Sequence, residues 1–196
     1  MEWALSELKQ VLADRADDPH ARAALDALRD AFCVAESRAS SDPLTGLMNR
    51  SSFAQALEHA LTEAARTQTQ AALMFMDLDG FKSINDEQGH LVGDQLLKHV
   101  AGRIMSCVRD DDLLARYGGD EFVVLLEGLV GTEVVDAIAS RIIDALSAPF
   151  SLEGLCVRLS ISIGIALFPS HAMAAQELLH RADSAMYRAK HAGGKR

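Results

Sequence analysis

Ala72-Leu73-Met74-Phe75-Met76 is an unbroken apolar run, and it stops abruptly at Asp77-Leu78-Asp79-Gly80. It has the length of a strand, and with no polar position inside it the strand must be covered on both faces. The segments around it can supply those covers. Phe53, Leu57 and Leu61 mark a helix that starts near Asn49-Arg50-Ser51. Leu96, Leu97, Val100, Ile104 and Val108 repeat at helical spacing, as do Val134, Val135, Ile138, Ile142 and Leu146 before Pro149. Leu113 to Tyr117 and Phe122 to Leu126 read as two strands joined by a turn at Gly118-Gly119. Val157, Leu159, Ile161 and Ile163 alternate with Arg158, Ser160 and Ser162, the period of a half-buried strand. Leu178 to Lys190 is a last helix, ending before Gly193-Gly194. Helices alternating with strands, a hairpin among them, predict one α/β sandwich-type domain.

Residues 3–40 read differently. Leu5, Leu8 and Leu12 form one apolar stripe, and Leu25, Leu28, Phe32 and Ala35 form a second with the spacing of a short heptad seam. Asp18-Pro19 between them has the form of an N-cap followed by Pro at the first helical position. Two readings stay open, a dimerising seam or a helix lying on its own domain. Ser40-Ser41-Asp42-Pro43 breaks the pattern, so residues 1–41 are expected to form a helical extension and 42–196 the globular domain.

The 196 residues carry 19 Lys+Arg against 28 Asp+Glu, a formal net charge of −9. That balance argues against a surface that coats a nucleic-acid polymer. It leaves room for a nucleotide, whose phosphates need only a local lysine, backbone N–H groups and a metal. No apolar run approaches the roughly 18 residues of a membrane span, and Met1-Glu2-Trp3-Ala4 lacks the basic and apolar regions of a signal peptide. Cys33, Cys107 and Cys156 are odd in number and have neither metal-ligand nor disulfide spacing. Reduced thiols in the cytoplasm are the expectation.

Two places concentrate candidate chemistry. Asp77 and Asp79 close the apolar strand, two residues apart and so on one face, and Gly80-Phe81-Lys82 follow with backbone N–H groups to offer beside a cation. This composition suits a Mg²⁺–phosphate site, and equally a solvated turn. The second place is Arg116-Tyr117-Gly118-Gly119-Asp120-Glu121-Phe122. In a regular strand Asp120 and Glu121 would point opposite ways, but a glycine turn relaxes that restriction and lets a ligand approach the backbone. A hairpin with a hydrophilic tip explains the same residues.

Gly118-Gly119-Asp120-Glu121-Phe122 is also the name-giving signature of the GGDEF diguanylate cyclases, and the rest of that pattern is present in order. Asp42-Pro43-Leu44-Thr45-Gly46-Leu47-Met48-Asn49-Arg50 resembles the family's opening D-x-L-T-G-L-x-N-R. Asp77 to Asp86 resembles D-x-D-x-F-K-x-I-N-D, and Gly89-His90 through Gly93-Asp94 resembles G-H-x-x-G-D. Ser160 to Ala166 and Ala182 to Lys190 are similar to its later segments, so the likeness runs from Asp42 to about Gly194.

The resemblance implies a nucleotidyl-cyclase or palm-like fold, a central β-sheet flanked by helices, here with an N-terminal helical extension. It implies condensation of two GTP into cyclic di-GMP and two pyrophosphates, on Mg²⁺ (or Mn²⁺), two ions per active site. By resemblance Asp77, the Leu78 carbonyl, Asp120 and Glu121 hold metal, with Asp120 and Glu121 also the catalytic candidates, ligand and base roles being unseparated. Gly80, Phe81 and Lys82 match the loop around the phosphates, Gly118 and Gly119 the glycine turn at the substrate, Asn85 and Asp94 the guanine-reading positions, and Lys190 a phosphate-binding lysine. Arg109 and Asp112 match an R-x-x-D site where product inhibits, with Arg141 as a further arginine there. One domain carries one GTP, so a homodimer is implied. Gly194 departs from the family, standing where a second phosphate-binding arginine is common; the alternative is a weak or inactive module that binds GTP or cyclic di-GMP for regulation.

Overall fold

The computed structural model describes residues 23, 27, 40–129, 131–152 and 154–193. The chain divides into two compact units, Met1–Ser40 and Ser41–Arg196. Ala23 and Ala27 are helical; the other readings for 3–39, and those for 194–196, lie outside the described residues.

In the second unit, helix α1 (Arg50–Thr67) begins where its sequence supplies a cap. The Asn49 side chain accepts from the Ser52 N–H at 3.0 Å, satisfying one of the free donors of the first turn. Strand β1 (Gln70–Asp79) follows, then α2 (Phe81–Gln88) and α3 (His90–Met105). The hairpin β2 (Leu113–Gly118) and β3 (Glu121–Leu129) comes next, then α4 (Glu133–Ser147). A small hairpin of β4 (Phe150–Leu152) and β5 (Leu155–Val157) leads to β6 (Ser160–Phe168) and α5 (Ala175–His191).

The main sheet has the order β2-β3-β1-β6, and each neighbouring pair is antiparallel. The apolar run is therefore an inner strand. Ala72, Met74, Met76 and Leu78 pack with Leu96, Val100 and Ile104 of α3 and Ile138 and Ile142 of α4. Ala71, Leu73 and Phe75 pack on the opposite face with Phe53 and Leu57 of α1 and Leu178 and Ala182 of α5. This double cover is what an uninterrupted apolar strand requires.

The stretch 157–163 departs from expectation. It is two elements, because Arg158 and Leu159 leave the ladder between β5 and β6. Nor is β6 half solvated: Ser162 is 0% exposed. Ser160 and Ser162 hydroxyls each donate to the Asp79 carboxylate at 2.8 Å. A serine can meet its hydrogen-bonding need on an interior acid, so the alternation records a polar interior face.

Gly164 of β6 fixes how closely α5 lies on the sheet. A Cβ there would stand 2.1 Å from the Ala182 carbonyl oxygen and 2.1 Å from the Met186 nitrogen, both backbone atoms. Only glycine allows this approach, and it brings the last turn of α5 to the acidic end of β1.

Candidate active site

Strand pairing assembles the acids. Asp77 pairs directly with Glu121 across β1 and β3, and with Ser162 across β1 and β6. Directly opposed residues project from the same face with Cβ atoms about 5 Å apart. The Leu78 N–H donates to the Asp120 carbonyl at 3.3 Å. An antiparallel residue sends its N–H and C=O to the same side, so the Leu78 carbonyl also faces the glycine hairpin. Gly119 takes φ 45°, a value that suits glycine, and β2 slips register between Arg116 and Gly118. With the strand broken there, Asp120 and Glu121 both reach the same acidic neighbourhood.

The electrostatics follow from that crowding. Burial pushes the Asp77 carboxyl above the usual carboxylate range; the Lys190 ammonium pulls it down, and the Asp120 and Asp79 charges push it up again. Glu121 is raised in the same way, by burial first and then by Asp77, Asp120 and Asp183, against a small opposing pull from Arg50. Lys190, near the end of α5, donates to Asp77 Oδ1. Among the described residues no three His, Cys, Asp or Glu side chains form a ready metal-binding group. The donor set nonetheless fits a hard divalent cation, since Mg²⁺ takes one or two carboxylates and completes its shell with phosphate and water oxygens. Asp77 opposite Glu121, with the Leu78 carbonyl beside them, supplies such oxygens.

The nucleotide-facing residues lie around this centre. Gly80 caps α2 at φ 79° with no side-chain cap bond, so the first-turn N–H groups of Phe81, Lys82 and Ser83 lack intrahelical acceptors. The Phe81 ring is buried and the Lys82 side chain exposed, so the loop offers its backbone N–H groups and the Lys82 ammonium. Asn85 Oδ1 is buried without a hydrogen-bond donor. A Cβ on Gly93 would fall 1.9 Å from that oxygen, so the glycine makes room for the amide. Asp94 follows it, exposed on α3.

Arg109, Asp112 and Arg141 belong to another region. The Arg109 N–H donates to Asp112 Oδ2 at 2.8 Å, and both side chains keep solvent access. Arg141 on α4 donates to the Cys107 carbonyl, which places it against the segment that carries Arg109.

Sequence reasoning gave no role to several residues that organise the site. Arg116 donates to the Gly119 carbonyl at 2.9 and 2.7 Å and to both carboxylate oxygens of Asp42 at 3.2 and 3.1 Å. Asp42 also accepts from the Thr45 N–H and hydroxyl at 2.8 and 2.7 Å. The opening motif thus grips the glycine hairpin from outside. A lone arginine two residues before paired glycines was the available signal. Arg50 stacks 4.7 Å from the Tyr117 ring centroid.

Comparison with known proteins bears on the family and the fold. The family model described as "Diguanylate cyclase, GGDEF domain" matches residues 39–196. Diguanylate cyclase TpbB of Pseudomonas aeruginosa is 45% identical over 164 residues, covering 83% of this chain and 38% of that protein. A structure comprising only its GGDEF domain superposes with a TM-score of 0.77 at 46% identity, covering 79% of this chain and 91% of that one. Cyclic di-GMP phosphodiesterase PdeR of Escherichia coli is 42% identical over 155 residues, covering 79% of this chain and 23% of that protein. The coiled coil and GGDEF domain of DgcB from Caulobacter crescentus, in complex with c-di-GMP, matches with a TM-score of 0.83 at 29% identity, covering 96% of this chain and 97% of that one. This chain therefore spans less than half the length of the curated relatives TpbB and PdeR. With more than half of its residues under one family model and the signature acids assembled at the end of the sheet, the chain belongs to the GGDEF-domain diguanylate cyclase family.

Proposed function

We propose that this chain condenses two GTP molecules into cyclic di-GMP, releasing two pyrophosphates, between two copies whose sites face each other. The observation that carries the reading is the direct pairing of Asp77 with Glu121, with Asp120 acting on the charge of both. Carboxylates whose burial and mutual repulsion raise their proton affinity are a place made for a multivalent cation.

Asp77, the Leu78 carbonyl, Asp120 and Glu121 would hold Mg²⁺, or Mn²⁺ in its place, two ions per site. Held by these residues, the ions would supply positive charge to the attacking and leaving oxygens of an in-line displacement at the α-phosphorus. The free N–H groups at the start of α2, after Gly80, and the Lys82 and Lys190 ammonium groups bind and orient the triphosphate. Gly118 and Gly119 let it approach the backbone. Asn85 and Asp94 read guanine, whose N1–H and 2-amino donors are the partners that the orphaned Asn85 Oδ1 lacks. Asp120 or Glu121 takes the proton of the attacking 3′-hydroxyl.

Arg109, Asp112 and Arg141 form the product-binding inhibitory site, supported by the contact of Arg141 with the Arg109-bearing segment. Residues 1–41 serve as the dimerising segment, which raises the effective concentration of facing sites. The location is cytoplasmic; among the described residues no helix is long and apolar enough to cross a membrane.

Purified chain incubated with GTP and Mg²⁺ at several protein concentrations, followed by nucleotide chromatography, tests the reading. Turnover per chain should rise with concentration as pairs form. GTP bound without cyclic di-GMP at any concentration overturns it in favour of a regulatory binding module.

A further inference from the structure

Arg50 stands where its helix gains nothing from it. It is the first residue of α1, whose first turn holds no acid, and a cation at a helix N-terminus opposes the helix dipole. Arg50 is exposed, and among the described residues it enters no ion pair. What it touches is a ring: its guanidinium lies 4.7 Å from the Tyr117 ring centroid. A planar guanidinium stacks on an aromatic face and is drawn to its electron density.

Tyr117 in turn meets Phe75 edge to face, with centroids 5.2 Å apart and planes at 70°. Phe75 is 4% exposed, so this end of the stack is fixed. It lies on β1 and pairs with Val123 of β3, which pairs with Ala115 of β2. The ring contact between Tyr117 of β2 and Phe75 of β1 therefore crosses β3, the strand that begins with Glu121. Phe75 is two residues before Asp77 and on the same face. Tyr117 is the residue before Gly118. Arg50, Tyr117 and Phe75 thus join the strand of Asp77 to the start of the glycine turn. Gly118 and Gly119 have no side chains to restrain them, so their course depends on how the residues before them are held. Arg116 holds one side, through the Gly119 carbonyl and Asp42; the ring stack holds the other.

We infer that Arg50 is a positioning residue for the acidic centre: stacked on Tyr117, it fixes the strand end from which the glycine turn carries Asp120 and Glu121 to Asp77. The Arg50 charge is also felt at Glu121, where it opposes the neighbouring acids. The two effects have opposite signs. A through-space charge repels a cation held by Glu121, so its loss would tighten cation binding. The anchor of Tyr117 keeps the acids together, so its loss loosens the set that a cation needs.

The inference rests on the reading of these acids as a cation site. Mn²⁺ binding to the full chain without nucleotide, followed by electron paramagnetic resonance, tests both. R50A should weaken binding roughly two- to fivefold, the scale of an exposed cation–π contact, with a melting temperature that stays level or rises. In Y117L, which lacks the ring, binding should be weak already and R50A should add nothing; Y117M serves where Y117L does not fold. Y117F keeps both ring contacts and should restore the affinity that Y117L loses. Equal or tighter binding by R50A overturns the role of Arg50 and leaves the cation site standing. The same loss from R50A with and without the ring also overturns it, since Arg50 would then act without its platform. A lower melting temperature for R50A makes the stack a support of the fold and overturns it as well. A parent chain that binds no Mn²⁺ overturns the cation site and the inference together.

Discussion

Asp42 and Asp77 are two carboxylates on opposite sides of the glycine hairpin, and they are alike in most respects. Each side chain is nearly buried, at 16% and 13% exposed, and each touches one cation, Arg116 or Lys190. Their acidities nevertheless move in opposite directions. Burial works against the charge on both. At Asp42 it is outweighed by the Thr45 hydroxyl and N–H donors and by Arg116, which hold the carboxyl below its usual range. At Asp77 burial prevails, because Lys190 is opposed by the charges of Asp120 and Asp79. One acid is satisfied by its own fold; the other is left short of positive charge. The first arrangement holds a hairpin in place, and the second leaves a demand that a ligand can meet.

The largest expected effect separates the two outright. Asp77→Asn should reduce cyclic di-GMP formation roughly a thousandfold, the scale on which one preorganised charge-stabilising group acts. Its melting temperature should stay level or rise, because a crowded charge has gone. A clear fall in stability would make Asp77 a structural acid like Asp42 and end the comparison. Arg116→Ala should do the opposite. It strands Asp42 and frees the Gly119 carbonyl, and should cost about 3 kcal/mol of stability, read by urea denaturation. The loss in turnover should be smaller than that of Asp77→Asn.

Ser162→Ala sharpens the contrast from a third position. Asp79 lies two residues from Asp77 but accepts from both Ser160 and Ser162. Removing the buried hydroxyl should cost about 1–2 kcal/mol and leave the Michaelis constant for GTP unchanged. A large change in that constant with stability intact would move Asp79 from the fold into the substrate site.

The covered sheet was legible from one run of apolar letters, because a strand with no polar position can only be internal. The acidic pair was legible as two motifs, yet their meeting depends on register. Nothing in the local sequence says that Asp77 will face Glu121, since strand pairing is set by contacts made far along the chain. Ser160 and Ser162 misled because a serine alternating with isoleucine looks the same whether water or an aspartate takes its hydrogen bond. Arg116 was hidden for a related reason: its two partners, Asp42 and the Gly119 carbonyl, lie 74 residues before it and three after it, respectively. Gly164 stood inside a recognised motif, but only the backbone of α5 against it shows what the missing side chain is for.

The smallest predicted effect is a dependence on pH, and its sign tests the satisfied half of the comparison. A carboxyl whose folded pKa lies below its unfolded value releases its proton more readily in the folded chain. Between those two values the unfolded chain holds more protons, so stability rises with pH. The contribution of Asp42 is therefore fully present above its ordinary pKa and disappears as pH falls through the lowered folded value. Asp42→Asn keeps an acceptor for Thr45 but removes the charge that responds. Against the parent it should be less stable near neutrality, by about 1 kcal/mol. The gap should begin to close as pH falls past the ordinary carboxylate pKa and be gone below the lowered folded value, so the range runs from neutrality to below the ordinary carboxylate values. Melting temperatures of the two chains across that range, in buffer without divalent ions, provide the measurement. A gap that stays constant would mean that Arg116 and Thr45 hold Asp42 by shape and hydrogen bonding alone, and that charge is not what distinguishes it from Asp77.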